Sequence, residues 1–165
     1  MVVDQPVQLV AYVPSWPARA AAEAAVLDGA LGAWLDGAVE HVGSTAVPGL
    51  EAKPTIDLMA PVVDLDAARA AFGPLAELGY VYAPHRPHCH WFCKPSPAVR
   101  EFHLILIESS HPDFAARLRF RDRLRADPAT AAAYVDLKRD LAARFRDHRE
   151  AYTDAKAAFV AEASA

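Results

Sequence analysis

The sequence predicts an α+β fold, a mixed sheet flanked by helices with a helical final third. Three observations carry this. Apolar residues alternate along 54–63 and 101–108, the period of a strand. They recur every three or four residues along 17–36 and again after 111, the period of a helix. The elements run helix, strand, strand, helix, three strands, helices, without the strict alternation of a parallel α/β fold.

Residues 6–16 read as an extended lead-in anchored by Tyr12 and Trp16. Pro17 suits a first helical residue, and Ala20, Ala24, Leu27, Leu31 and Leu35 form the stripe that follows, with Gly37 as its end. Val39–Val42 is a short strand and 43–53 a loop. In the strand Pro54–Val63, Ile56, Leu58, Ala60 and Val62 share one face, while Thr55, Asp57 and Met59 share the other. Asp64 or Asp66 caps a helix that Gly73-Pro74 kinks or splits and Gly79 ends. Tyr80–Tyr82 and His90–Lys94 are strands, and Pro95-Ser96-Pro97 is a turn. Glu101–Glu108 is the clearest strand, with Phe102, Leu104 and Leu106 opposite Glu101, His103 and Ile105. His111–Arg125 is helical, and Asp127-Pro128 caps a helix striped by Ala131, Tyr134, Leu137, Leu141 and Phe145. Asp147 and Glu150 have capping-box spacing for a last helix through Phe159.

A chain of 165 residues, 53% hydrophobic and 23% charged, fits one globular domain over 1–165. Its formal charge of −4 gives no sign of an extended nucleic-acid surface, but leaves room for a local basic pocket. The opening Met-Val-Val-Asp-Gln-Pro has no basic, apolar leader pattern, and no stretch approaches the ~20 apolar residues of a membrane span. The expectation is a cytoplasmic protein with no membrane association. Two cysteines, Cys89 and Cys93, do not form a disulfide framework. On one strand they would lie ~13 Å apart, too far to share a zinc ion.

The chemistry concentrates in 42–59. Gly43 and Gly49 permit backbone turns that other residues avoid, and Ser44 and Thr45 add hydroxyls that suit a phosphate. The P-loop spacing is absent. Asp57, within an apolar strand, is either a salt-bridged polar-face residue or a ligand for a hard cation. His103 holds an analogous place on its own strand, and the two side chains converge if those strands are neighbours. His88, His90 and Lys94 would share a basic strand face turned toward an anion. Arginines at 117, 119, 121, 123 and 125 are spread around a helix, so that most are solvated while one or two suit a phosphate. Arg149 and Lys156 are similar.

The run Glu40-His-Val-Gly-Ser-Thr-Ala-Val-Pro-Gly-Leu-Glu-Ala-Lys-Pro-Thr-Ile-Asp57 resembles the signature of the GrpB-like family of the nucleotidyltransferase superfamily. Tyr12-Val-Pro-Ser-Trp16-Pro17, Leu78-Gly-Tyr80, His90-Trp-Phe-Cys-Lys94, Phe102-His103-Leu104, Leu118-Arg-Phe-Arg-Asp122 and Ala151-Tyr-Thr-Asp-Ala-Lys156 extend the similarity over nearly the whole chain. The resemblance implies the polymerase-beta palm-like sheet. Gly43 and Ser44 would form its phosphate loop, with Thr45, Lys53, Lys94 and Arg121 assisting. Asp57 would be its first acidic position and His103 would stand at its third, together serving as catalytic and metal-binding residues for Mg²⁺ or Mn²⁺. Met59 occupies the second acidic position. The expected ligand is a nucleotide or phosphorylated small molecule. Two outcomes follow: transfer of a nucleotidyl group to a hydroxyl, or binding alone in a module that has lost the two-metal site. Metal-dependent hydrolysis using Asp57, His103 and His41 is a third reading.

Overall fold

The computed structural model describes residues 5–165; the first four residues of the Met-Val-Val-Asp-Gln-Pro opening lie outside them. The strands are β1 (Glu40–Val42), β2 (Ile56–Val62), β3 (Val81–Tyr82), β4 (Cys89–Pro95) and β5 (Arg100–Glu108). They form one sheet in the order β1-β2-β5-β4-β3. Among the described residues only β2 and β5 run parallel; the other neighbours are antiparallel. The sheet is therefore mixed, as the order of elements implies.

The helices are α1 (Trp16–Leu31), α2 (Phe72–Glu77), α3 (Pro112–Ala126), α4 (Pro128–Arg144), α5 (Arg149–Asp154) and α6 (Ala157–Ala163). The period-2 alternation of β2 and β5 gives the sheet two buried faces. Ile56, Leu58, Ala60, Phe102, Leu104 and Leu106 pack with Trp16, Ala20, Leu27 and Leu31 of α1. Met59, Ile105, Ile107, Cys89 and Val42 pack on the other face with Phe114 and Leu118 of α3. The C-terminal helices close over that second face through Phe120, Leu124 and Tyr134, and through Leu141 and Tyr152.

Three boundaries differ from the periodicity. The first helix stops at Leu31, with Gly32 as its cap. Glycine is a poor helix former, and the chain beyond it pairs with the sheet instead, Asp36 N–H donating to Pro61 O at 2.9 Å. The helix expected after Asp64 begins as a 3₁₀ segment, Ala67–Ala71, with Asp64 Oδ1 accepting from Ala67 N–H at 2.8 Å. The split precedes Gly73-Pro74, because Pro74 falls in the first turn of α2, where it needs no N–H partner. The last helix is two helices, broken at Ala155–Lys156. Its start is capped at His148 without a side-chain hydrogen bond, so Asp147 and Glu150 make no capping box. The Asp127 cap forms as expected, accepting from Ala129 and Thr130 N–H at 3.0 and 3.2 Å. Among the described residues, no helix is long and apolar enough to cross a membrane.

Leu58 is fully buried at the centre of the α1-facing layer. Truncation to alanine removes its packing and leaves a void, so Leu58→Ala should cost about 2–5 kcal/mol in urea unfolding. The slope of the transition should be unchanged if the fold is retained.

Candidate functional site

The β2–β5 register sets Asp57 beside His103, both on the α3-facing side of the sheet. His103 Nδ1 lies 2.9 Å from Asp57 Oδ1. An ionised carboxylate only accepts, so Nδ1 carries the proton, and in the neutral ring Nε2 keeps its lone pair. Nε2 is buried and has no hydrogen-bond partner among the described residues. Burial alone would raise the Asp57 carboxyl. The His103 hydrogen bond and the positive charges of His103, Lys53 and Arg117 outweigh it and hold Asp57 below its ordinary value.

Gly43 lies directly against this carboxylate. Its φ is +74°, and a Cβ there would overlap Asp57 Oδ2 and stand 3.1 Å from Cγ. The position requires glycine twice over, for its dihedral and for its lack of a side chain. The chain then winds through one 3₁₀ turn, Ser44–Ala46, with Ala46 and Val47 N–H bonded to Gly43 and Ser44 carbonyls. Ser44 Oγ accepts from Lys138 Nζ at 3.1 Å. Lys138 additionally donates to the Glu51 carbonyl.

Asp57, His103, Gly43, Ser44 and Lys53 border one cavity of about 890 Å³ between the sheet and the C-terminal helices. Eight Lys and Arg side chains line it against three Asp and Glu, in a chain whose formal charge is −4. Arg149 and Tyr152 of α5, and Lys156 at the α5–α6 break, form its C-terminal wall. Other expected residues lie elsewhere. Lys94 points to the α1 side, its Nζ 2.7 Å from Glu23 Oε1 and 5.2 Å from the Tyr80 ring centroid. His90, on the same side, bonds to the Leu65 carbonyl, and His88 leaves the strand to meet Asp113. Of the basic strand face expected at 88–94, His90 and Lys94 are therefore turned away from the cavity, while His88 borders it. Arg121 binds Glu40 at 2.7 Å and Asp122 at 2.8 Å, stitching α3 to β1. Thr45 is buried against His41, Oγ1 to Nε2 at 2.9 Å, and neither borders the cavity. Burial pushes His41 down to about 4, so it is neutral at pH 7.

The donor set does not fit a resident Mg²⁺ or Mn²⁺ pair. Among the described residues no three His, Cys, Asp or Glu side chains gather where they could hold a metal ion. Asp57 Oδ1 is taken by His103, and an imidazole is a poor ligand for a hard cation. Met59, at the position where a second carboxylate would stand, is fully buried in the apolar layer under α3.

Sequence reasoning missed Lys138, Tyr134 and Tyr152. Lys138 had a visible signal: it falls four residues after Tyr134 and three before Leu141, inside the apolar stripe, and is 1% exposed. Burial pushes it down to about 7, with Lys156 adding to the effect. Burial, then the charges of Lys156 and Arg149, push Lys53 down to about 7 against the pull of Asp57. Burial pushes Lys156 down to about 8, with Asp57 opposing.

Two predictions follow from this geometry. Gly43→Ala must strain its backbone and displace Asp57, at a cost of about 1–3 kcal/mol in denaturant unfolding. The lysines carry their ordinary value of 10.5 when unfolded, so between pH 7 and 9 the unfolded chain binds more protons. Stability should therefore rise with pH across that window. Lys53→Met should stabilise the protein at pH 7 and flatten the slope, as read by urea midpoints.

Residues 6–165 match the family described as GrpB protein. A UPF0157 protein of Deinococcus radiodurans is 43% identical over 122 residues, covering 74% of this chain and 63% of that protein. A UPF0157 protein of Pseudomonas aeruginosa is 39% identical over 165 residues, covering 96% of this chain and 66% of that protein. The chain thus spans just under two thirds of the length of these two relatives. The crystal structure of conserved protein GrpB from Enterococcus faecalis superposes with a TM-score of 0.85 at 29% identity, over 95% of this chain and 94% of that one. A link to the nucleotidyltransferase superfamily is consistent with this fold. By signature, by length of match and by structure, the chain belongs to the GrpB family.

Proposed function

We propose that the cavity binds a nucleotide or other phosphorylated small molecule, with lysine and arginine in place of metal as the source of positive charge. One observation carries this reading: eight cationic side chains against three acidic ones around a cavity in an acidic protein. Concentrating like charge in a partly desolvated space costs stability unless an anion completes it. Ser44 Oγ offers a hydroxyl at the rim, already oriented by Lys138. Thermal melting in excess EDTA should rise with at least one of ATP, GTP, CTP, UTP or a phosphorylated metabolite, by the amount that mass action sets. A strict requirement for Mg²⁺ or Mn²⁺ would overturn the metal-free part of the reading.

Transfer of a nucleotidyl group to a hydroxyl is a second reading, favoured by the Asp57–His103 pair. Asp57 fixes the tautomer and orientation of the imidazole, and Nε2 is left as a base. In that chemistry the acceptor oxygen bonds to the α-phosphorus as its proton passes to Nε2. The bond to pyrophosphate breaks, and the cationic wall stabilises the departing charge. Incubation with labelled nucleoside triphosphates and a metabolite pool should release pyrophosphate, and His103→Gln should slow release about 100-fold or more. A protein that binds nucleotide but never releases pyrophosphate is a binding module.

A further inference from the structure

Among the described residues, four serine and threonine side chains line the cavity. Three of them spend the hydroxyl proton on a backbone carbonyl: Thr55 donates to Arg100 O, Thr153 to Arg149 O and Ser164 to Val160 O. Ser44 differs. Its Oγ lies 3.1 Å from Lys138 Nζ, and an amine, unlike a carbonyl, can take the proton away. Lys138 is fully buried. Its Nζ meets three neutral groups: Ser44 Oγ, the Glu51 carbonyl and the Tyr134 ring, whose centroid lies 4.8 Å away. An ammonium has three N–H groups, one for each. The neutral amine has two, so with the carbonyl and the ring still served its lone pair faces the serine hydroxyl. The charged groups that act on Lys138 are Lys156, from the α5–α6 break, and Glu51, whose carboxylate is bonded to Arg139 at 2.7 Å. Burial and then Lys156 favour the neutral amine against the pull of Glu51.

We propose that Ser44 is a nucleophile toward phosphoanhydrides and carries the transferred phosphorus group as a covalent ester, with Lys138 as its base. The inference rests on the reading of the cavity as a phosphate site. It adds a covalent step in which the protein itself is the acceptor. In that step Oγ bonds to phosphorus as its proton passes to Lys138 Nζ. The bond from that phosphorus to the bridging oxygen breaks, and the leaving phosphate departs with the electron pair. The ammonium so formed stands beside the new phosphate ester. The donor is a nucleoside triphosphate or an inorganic polyphosphate. Attack at the α-phosphorus of a nucleotide leaves a nucleotidyl group on Ser44, and attack at a terminal phosphorus leaves a phosphoryl group.

The test is to incubate the protein with ATP or inorganic triphosphate, in EDTA and with Mg²⁺, quench in acid, and read intact mass and peptide maps. One adduct is expected, on Ser44. A nucleotidyl mass with ATP alone identifies the α-phosphorus as the point of attack, and a phosphoryl mass with either donor identifies the terminal one; both support the inference. Ser44→Ala should abolish the adduct. Lys138→Arg keeps the positive charge but has no lone pair to offer, so it should slow adduct formation about 100-fold or more while ATP still raises the melting temperature. Lys138→Met should slow it as far, and unaltered melting of either variant without ligand separates a lost base from a lost fold. In the wild type the rate should rise between about pH 6 and pH 8 as the amine loses its proton, a rise that Lys138→Arg flattens. An adduct that persists in Ser44→Ala, or forms as fast in Lys138→Arg, would overturn the inference. So would a protein that ATP stabilises but that gains no adduct, and the phosphate reading would then stand. An adduct that needs Mg²⁺ would keep the nucleophile and overturn only the metal-free reading. Neither binding nor adduct would overturn both.

Discussion

The parallel pairing of β2 with β5 is the constraint on which the site depends. Among the described residues it is the one parallel contact in an otherwise antiparallel sheet. Its register places residue 57 level with residue 103. A slip of β2 by one residue would turn Asp57 to the α1 face, part it from His103 and leave an unpaired carboxylate in an apolar core. The apolar patterning that keeps Leu58 and Leu104 inward therefore also holds Asp57 and His103 together. Gly43 adds a second lock, since its bare Cα lets the following loop close directly on the Asp57 carboxylate.

Much of this was legible in the residues, and the failures have physical causes. The alternation along β2 and β5 located Asp57 and His103 on their correct faces because a strand has a strict period. Lys94 was misread because β4 is covered on both sides. Its two faces look alike in sequence, and only the fold shows that Lys94 meets Glu23. Arg121 was misread because five arginines at alternate positions point around a helix, and propensity does not say which turns toward β1. Lys53 borders the cavity, yet its companions on α5 and at the α5–α6 break lie about a hundred positions away. No local pattern announces such a meeting. The divided last helix was hidden because alanine-rich segments keep helical character across a break.

The cavity brings cations together against the overall charge of the protein. Buried amines normally lose their charge or find a partner. Here Lys138 finds neutral partners, Ser44 Oγ and two carbonyl-or-ring acceptors in Glu51 O and the Tyr134 ring. Lys53 and Lys156 rest on Tyr152. Such an arrangement sacrifices some stability at neutral pH, a pattern more typical of binding sites than of scaffolding. The α1 side shows the contrast: there Lys94 has a carboxylate at 2.7 Å and contributes to the fold.

The shortness of α5 and α6 has a consequence for how anything enters. Six- and seven-residue helices do not hold themselves together in water. Their geometry is borrowed from outside, from Tyr152 in its cluster and from Arg119, which donates to the Ser164 carbonyl at 2.8 Å. The wall of the cavity is thus a separate, weakly cooperative unit beside a rigid sheet. Its amides should exchange with solvent sooner than those of β2 and β5, through openings that leave the sheet intact. A ligand bridging the α5–α6 break to the sheet would slow that exchange, so part of its affinity is spent in ordering the wall, and the protein would sense occupancy as a change in local motion.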